Sequence, residues 1–170
     1  MHRNLIVVLL WLLLPVCALA QFNGGLGEPP ERVDRQTPAA TVAGFLEAAH
    51  ARDLEALPHY LSLSHLPPEQ QRAEGERLGR RLMFVVDRAL WFDFARIGQE
   101  PAAGVTSVSL GQVKLDRGSR DIRLRRVEGK DGAALWVFSE GTVRAIDALF
   151  AQHGSPVLER LPAFFFVRPV

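Results

Sequence analysis

Ser107-Val108-Ser109-Leu110, Gln112-Val113-Lys114-Leu115 and Asp121-Ile122-Arg123-Leu124-Arg125 decide the fold class. Apolar and polar residues alternate in all three runs, the period of a strand with one face buried and one face wet. Gly111 is expected to join the first two strands, and the Asp116-to-Ser119 turn the second and third. Val127 and Leu135 flank Glu128-Gly129-Lys130-Asp131-Gly132, which reads as a hairpin loop. Ala134 to Phe138 is apolar at every position, so it is expected as the central strand of an antiparallel sheet of three to five strands.

Upstream of this region the period is helical. Thr37-Pro38 is a start signal, a hydroxyl that can cap free amides followed by a proline suited to the first turn. Val42, Phe45, Leu46 and Ala49 then fall on one face. Asp53 reads as the cap of a second helix carrying Leu54, Leu57 and Leu61, which Pro58 shortens or kinks. Glu69 to Leu90 is the longest helical pattern, with Leu78, Leu82, Val85, Val86, Ala89 and Leu90 in one stripe. Trp91, Phe92 and Phe94 follow around Asp93 as a bulky apolar hinge. Downstream, Ser139 caps a helix presenting Val143, Ile146, Leu149 and Phe150, with Gly154 at its end. Helices, then strands, then a helix give an α+β domain with an antiparallel sheet. Phe45, Leu82, Trp91, Trp136 and Phe138 are the expected keystones of its core.

The two ends of the chain read differently. Met1-His2-Arg3 is a short basic start, Leu5 to Leu14 an apolar run, and Ala18-Leu19-Ala20 a small-residue site before Gln21. This is the three-part pattern of an export leader, expected to be cut after Ala20, and it predicts a periplasmic location. Residues 1–20 are thus a signal peptide, 21–36 a flexible Gly- and Pro-bearing lead-in, 37–162 the domain and 163–170 an apolar tail. Phe164, Phe165 and Phe166 in that tail are expected to meet a membrane surface or a partner, which would associate the domain with the inner membrane.

Several chemistries are excluded or disfavoured. A net charge of +1 on 170 residues does not make the basic face of a nucleic-acid binder. The single Cys, Cys17, lies in the leader, which excludes disulfide scaffolds and Cys-rich zinc modules. No phosphate loop, dinucleotide fingerprint or nucleophile elbow is present. His50, His59 and His65 match no ligand spacing and read as solvated surface residues. Asp87, Asp93, Glu100 and Asp116 are the central carboxylates, expected to solvate the surface rather than to form a catalytic pair. Arg117, Arg120, Arg123, Arg125 and Arg126 form the densest basic patch, balanced by Asp116, Asp121 and Glu128. No enzymatic activity, metal or cofactor is expected.

An ordered series of short motifs adds a functional expectation. It runs from Asp34-Arg35-Gln36-Thr37-Pro38 and Thr41-Val42-Ala43-Gly44-Phe45-Leu46 through Tyr60-Leu61-Ser62-Leu63, Leu66-Pro67-Pro68 and Asp87-Arg88-Ala89-Leu90-Trp91-Phe92-Asp93. Ile122-Arg123-Leu124-Arg125-Arg126-Val127, Leu135-Trp136-Val137-Phe138-Ser139, Thr142-Val143 and Leu158-Glu159-Arg160-Leu161-Pro162 complete it. The series resembles the exported N-terminal domain that precedes the membrane region of some bacterial small-conductance-type mechanosensitive ion channels. The resemblance implies a non-catalytic periplasmic extramembrane domain, truncated or stand-alone, without the transmembrane and pore region. It also implies self-association, or packing against a membrane channel region, as the mode of partnership. The family's gating residues have no matching positions here. The alternative expectation is a soluble periplasmic module that holds a small ligand among its aromatic side chains.

Overall fold

The computed structural model describes residues 22–89, 97, 101–102, 104–129 and 132–154. The elements run α1 (Pro38–Ala51), a single 3-10 turn (Leu57–Tyr60), α2 (Pro68–Ala89), β1 (Ser107–Lys114), β2 (Ser119–Glu128), β3 (Ala134–Phe138) and α3 (Glu140–His153). This is the expected α+β order, N-terminal helices, antiparallel sheet and C-terminal helix. Among the described residues no helix is long and apolar enough to cross a membrane.

Both expected caps form. Thr37 Oγ1 accepts from the Ala40 amide at 3.1 Å, and Ser139 Oγ from the Thr142 amide at 3.2 Å. The helix expected after Asp53 is reduced to one turn, although Asp53 Oδ1 does accept from the Ala56 amide. Pro58 has no N–H to donate back along a helix, so no helix runs through it from Asp53; the chain then leaves the turn in extended form at Leu61.

The sheet departs from expectation in two ways. Gly111 does not separate two strands. Ser107–Lys114 is one strand whose register with β2 shifts between Ser109 and Gly111. Gly111 has φ 137°, so it absorbs a β-bulge, and the pattern changes phase without the chain turning. The strand order is β1-β2-β3, which makes β2 the central strand rather than Ala134–Phe138. The outer edge of β3 is covered all the same. The Ser62 amide donates to the Phe138 carbonyl, and the Trp136 amide to the Arg35 carbonyl. Main-chain segments outside the sheet thus take up ladder groups that an edge strand would leave to water, which explains why β3 is apolar throughout.

One continuous core lies between the sheet and the helices. It holds Val42, Phe45, Leu82, Val85, Ile122, Leu124, Phe138, Ile146 and Leu149, all fully buried, with Trp136 almost so. The Phe45 and Phe138 rings meet edge to face at 4.9 Å. α2 reaches the 3-10 turn because Gly75 faces it. A Cβ there would stand 2.7 Å from Pro58 Cβ and 2.8 Å from Leu63 Cδ1. Trp91 lies outside the described residues.

α2 and α3 are joined by packing of Phe84 on Phe150 and by a charged clamp. Arg77 and Arg81 both donate to Asp147, at 2.7 and 2.8 Å. The two guanidinium groups hold the Asp147 carboxyl below the ordinary carboxylate range. The stabilisation is therefore present above that range and is lost as pH falls through the folded-state value. Asp147→Asn is expected to cost about 0.5–1 kcal/mol near neutral pH, because the clamp is partly exposed to solvent. It should also flatten the acid limb of the stability curve, measured by urea titration from neutral to acid pH.

The segment expected as a flexible lead-in is built into the fold from residue 22 onward. Asn23 is buried, donates to the Leu61 carbonyl at 2.6 Å and accepts from the Leu63 amide at 2.9 Å. The Gly25 amide donates to Gln71 Oε1, and Arg72 donates to the Leu26 carbonyl. Leu26 is itself part of the core. The glycines that suggested looseness serve close approach instead. A Cβ at Gly25 would lie 1.9 Å from the Pro68 carbonyl oxygen.

Candidate functional site: the hollow over Arg35

The docked segment borders a surface hollow of about 1370 Å3. It is lined by residues of the 22–36 segment, by Glu128, Gly129, Ala133, Ala134 and Leu135 of β2 and β3 and their flanks, and by His59 of the 3-10 turn. Phe22, Val33 and Leu135 supply half-buried apolar surface. Glu31, Asp34 and Glu128 are exposed carboxylates of the same lining.

Arg35 is the unusual member. It is only 8% exposed. Its main chain is fixed by the bond from the Trp136 amide, and Nη1 donates to the His59 carbonyl at 2.8 Å. Nε is buried without an acceptor. No carboxylate among the described residues pairs with the guanidinium, and burial pushes its pKa down. A buried cation that lacks a counter-charge is normally costly, by several kcal/mol.

His59 differs from the surface residue expected from sequence. It is almost fully buried, and burial together with the Arg35 and Arg72 charges pushes its pKa down to about 4. Pro58 and Tyr60, buried on either side, carry it inward, a placement that the isolated histidine spacing does not reveal. The unfolded chain takes up this proton near the ordinary value of 6.5, whereas the folded one does so only near 4. Stability is therefore full above that ordinary value and falls as pH drops toward the folded-state value. Melting temperature is expected to decline already between pH 6.5 and about 5, and His59→Gln to reduce that slope. An unchanged slope in the variant would remove His59 as its source.

A second, smaller hollow of about 530 Å3 lies at the start of α1, lined by Thr37, Pro38, Val105, Arg126 and Trp136. It opens to the surface, and Trp136 is packed into the core rather than lining an enclosed aromatic cavity.

The remaining residues singled out by sequence are scattered. His50 is exposed 3.6 Å from Asp87. His65 is half-buried, with Nδ1 unpartnered. Among the described residues no group of three or more His, Cys, Asp or Glu side chains is placed to hold a metal ion. Asp116 is exposed, with its amide and carboxylate both bonded to Gln152. Arg117, Arg120, Arg123, Arg125 and Arg126 are all exposed, and Arg123 pairs with Asp121 at 3.2 Å. Ala18, Ala20, Asp93, Glu100, Phe164, Phe165 and Phe166 lie outside the described residues. Sequence reasoning missed Arg35. The signal available was its place two residues before the Thr37 cap, where a charged side chain is carried close to the first buried turn.

Compared with known proteins, the chain gives no significant match to a family model, a curated protein or a solved structure.

Proposed function

We propose that this chain is a non-catalytic periplasmic extramembrane domain of a mechanosensitive ion channel-like protein, acting by packing around a membrane region and contributing no pore of its own. The observation that supports this reading best is the one-sided build of the sheet. Ile122 and Leu124 point into the core, whereas Ser107, Ser109, Arg123 and Arg125 on the opposite face are exposed. A rigid domain with one polar, arginine-bearing sheet face suits contact with a neighbouring copy or with the headgroup side of a membrane assembly. The ordered motif series and the leader-like start agree with the same placement.

Cysteine cross-linking in whole cells tests it, because Cys17 is the chain's single cysteine and leaves with the leader on this reading. Exported chains carrying Ser109→Cys or Arg125→Cys should form disulfide-linked oligomers on mild oxidation. Arg80→Cys, at an exposed position on α2, should stay monomeric. Monomers for all three variants, recovered wholly in the soluble periplasmic fraction, would overturn the packing role. Mass spectrometry of the same material should find Gln21 as the first residue, and an intact Met1 start in the inner membrane would overturn leader cleavage.

A further inference from the structure

We propose that the hollow over Arg35 binds a short zwitterionic peptide, with the peptide's terminal carboxylate on the Arg35 guanidinium and its ammonium end toward the acidic rim. The proposal is independent of the membrane reading above and can fail separately from it.

The chemistry of the floor sets the anionic end. Arg35 spends Nη1 on the His59 carbonyl, and with Nε enclosed and without an acceptor the guanidinium is short of partners, so a ligand would meet it at its Nη edge. A guanidinium with donors left over and no acid beside it is matched by a planar carboxylate, which can take two parallel N–H bonds. His59 stays neutral at physiological pH and adds no competing charge to the base.

The rim sets the opposite end. Glu31, Asp34 and Glu128 are exposed acids of the same lining. They would repel a compact dianion such as phosphate, yet they favour a ligand whose far end is cationic. Phe22, Val33 and Leu135 offer apolar surface between floor and rim, so a chain bearing aliphatic side chains fits better than a bare polar ion. The hollow is open to solvent, and its size leaves room for a ligand longer than a free amino acid. A hollow of about 1370 Å3 is larger than ordinary small-ligand pockets, and a single amino acid would leave most of it to water.

Trileucine is the probe. Titrated into the purified chain, it should perturb the Arg35 Nε–H resonance in NMR spectra and give a saturable calorimetric signal. Trileucine amide lacks the terminal carboxylate and should bind at least about tenfold more weakly, the loss expected for one charged hydrogen-bonding group. N-acetyl-trileucine keeps the carboxylate and loses the ammonium, so it should still perturb Arg35 with reduced affinity. Arg35→Gln should abolish trileucine binding. Because that variant also removes the bond to the His59 carbonyl, the exposed-site variant Glu31→Gln with Glu128→Gln serves as a second arm. It should weaken trileucine and leave N-acetyl-trileucine no weaker, because that anionic ligand gains nothing from the acids. No perturbation of Arg35 by trileucine at millimolar concentration, equal binding of the amide, or tighter binding of inorganic phosphate than of trileucine would each overturn the proposal.

Discussion

Phe138→Ala is expected to destabilise the domain by about 3–5 kcal/mol, the usual cost of emptying a fully buried aromatic site. Phe138 has no exposed surface, meets the Phe45 ring edge to face, and closes the strand that Leu61 and Ser62 cover. Alanine would remove the ring contacts of Phe45 and leave a cavity that the sheet on one side and α1 on the other cannot collapse to fill. The backbone bond from Ser62 should survive, so the loss is one of packing. In a chain of this size such a change lowers the melting temperature by on the order of 10 °C. Phe138→Leu, which keeps most of the volume, should recover more than half of the loss. A shift of only a degree or two for Phe138→Ala, followed by circular dichroism, would contradict the placement of this ring at the centre of the core.

Asn23→Ala is the second large effect, and it tests whether residues 22–36 are integral to the fold. The side chain bridges the Leu61 carbonyl and the Leu63 amide, 38 and 40 residues away in sequence. Its removal strands two buried backbone groups, each costing about 1–3 kcal/mol. Asn23 also has φ 51°, a left-handed conformation that asparagine tolerates and alanine resists. The total expected loss is about 2–4 kcal/mol. Asn23→Asp keeps the acceptor for the Leu63 amide but sets a buried carboxylate against the Leu61 carbonyl, so near neutral pH it should cost at least as much as alanine. Limited proteolysis adds a readout that a general loss of stability would not give. Cleavage near Gly25 and Gly27 should become rapid in Asn23→Ala while the core from α1 onward remains protected. Equal stability and equal protection in the variant would show that this segment is dispensable.

The alternation of Ile122 and Leu124 with arginines, and the stripes of α1, α2 and α3, were legible because each burial pattern is local and repeats with a fixed period. The Thr37 and Ser139 caps were legible for the same reason, since a cap and its amide partner lie three residues apart. At Gly111 the pattern predicts a join between two strands where the structure has a bulge, because a bulge and a turn both place glycine between alternating runs. Only the partner strand distinguishes a phase shift from a reversal.

The sequence by itself determined the α+β class, the helix caps and the membership of the core in Phe45, Leu82, Trp136 and Phe138. Propensity, capping and hydrophobic period act over a few residues and need no knowledge of what lies opposite. Tertiary structure decided the rest. It set β2 rather than β3 at the centre of the sheet, because strand order depends on pairings between distant segments. It docked residues 22–36 through Asn23, Gly25 and Leu26, because a buried asparagine is explained only by the carbonyl and amide it reaches. It also enclosed His59 and Arg35 beside a shared hollow. Charge and burial there arise from the meeting of a loop, a turn and a strand, and no local pattern in the chain records that meeting.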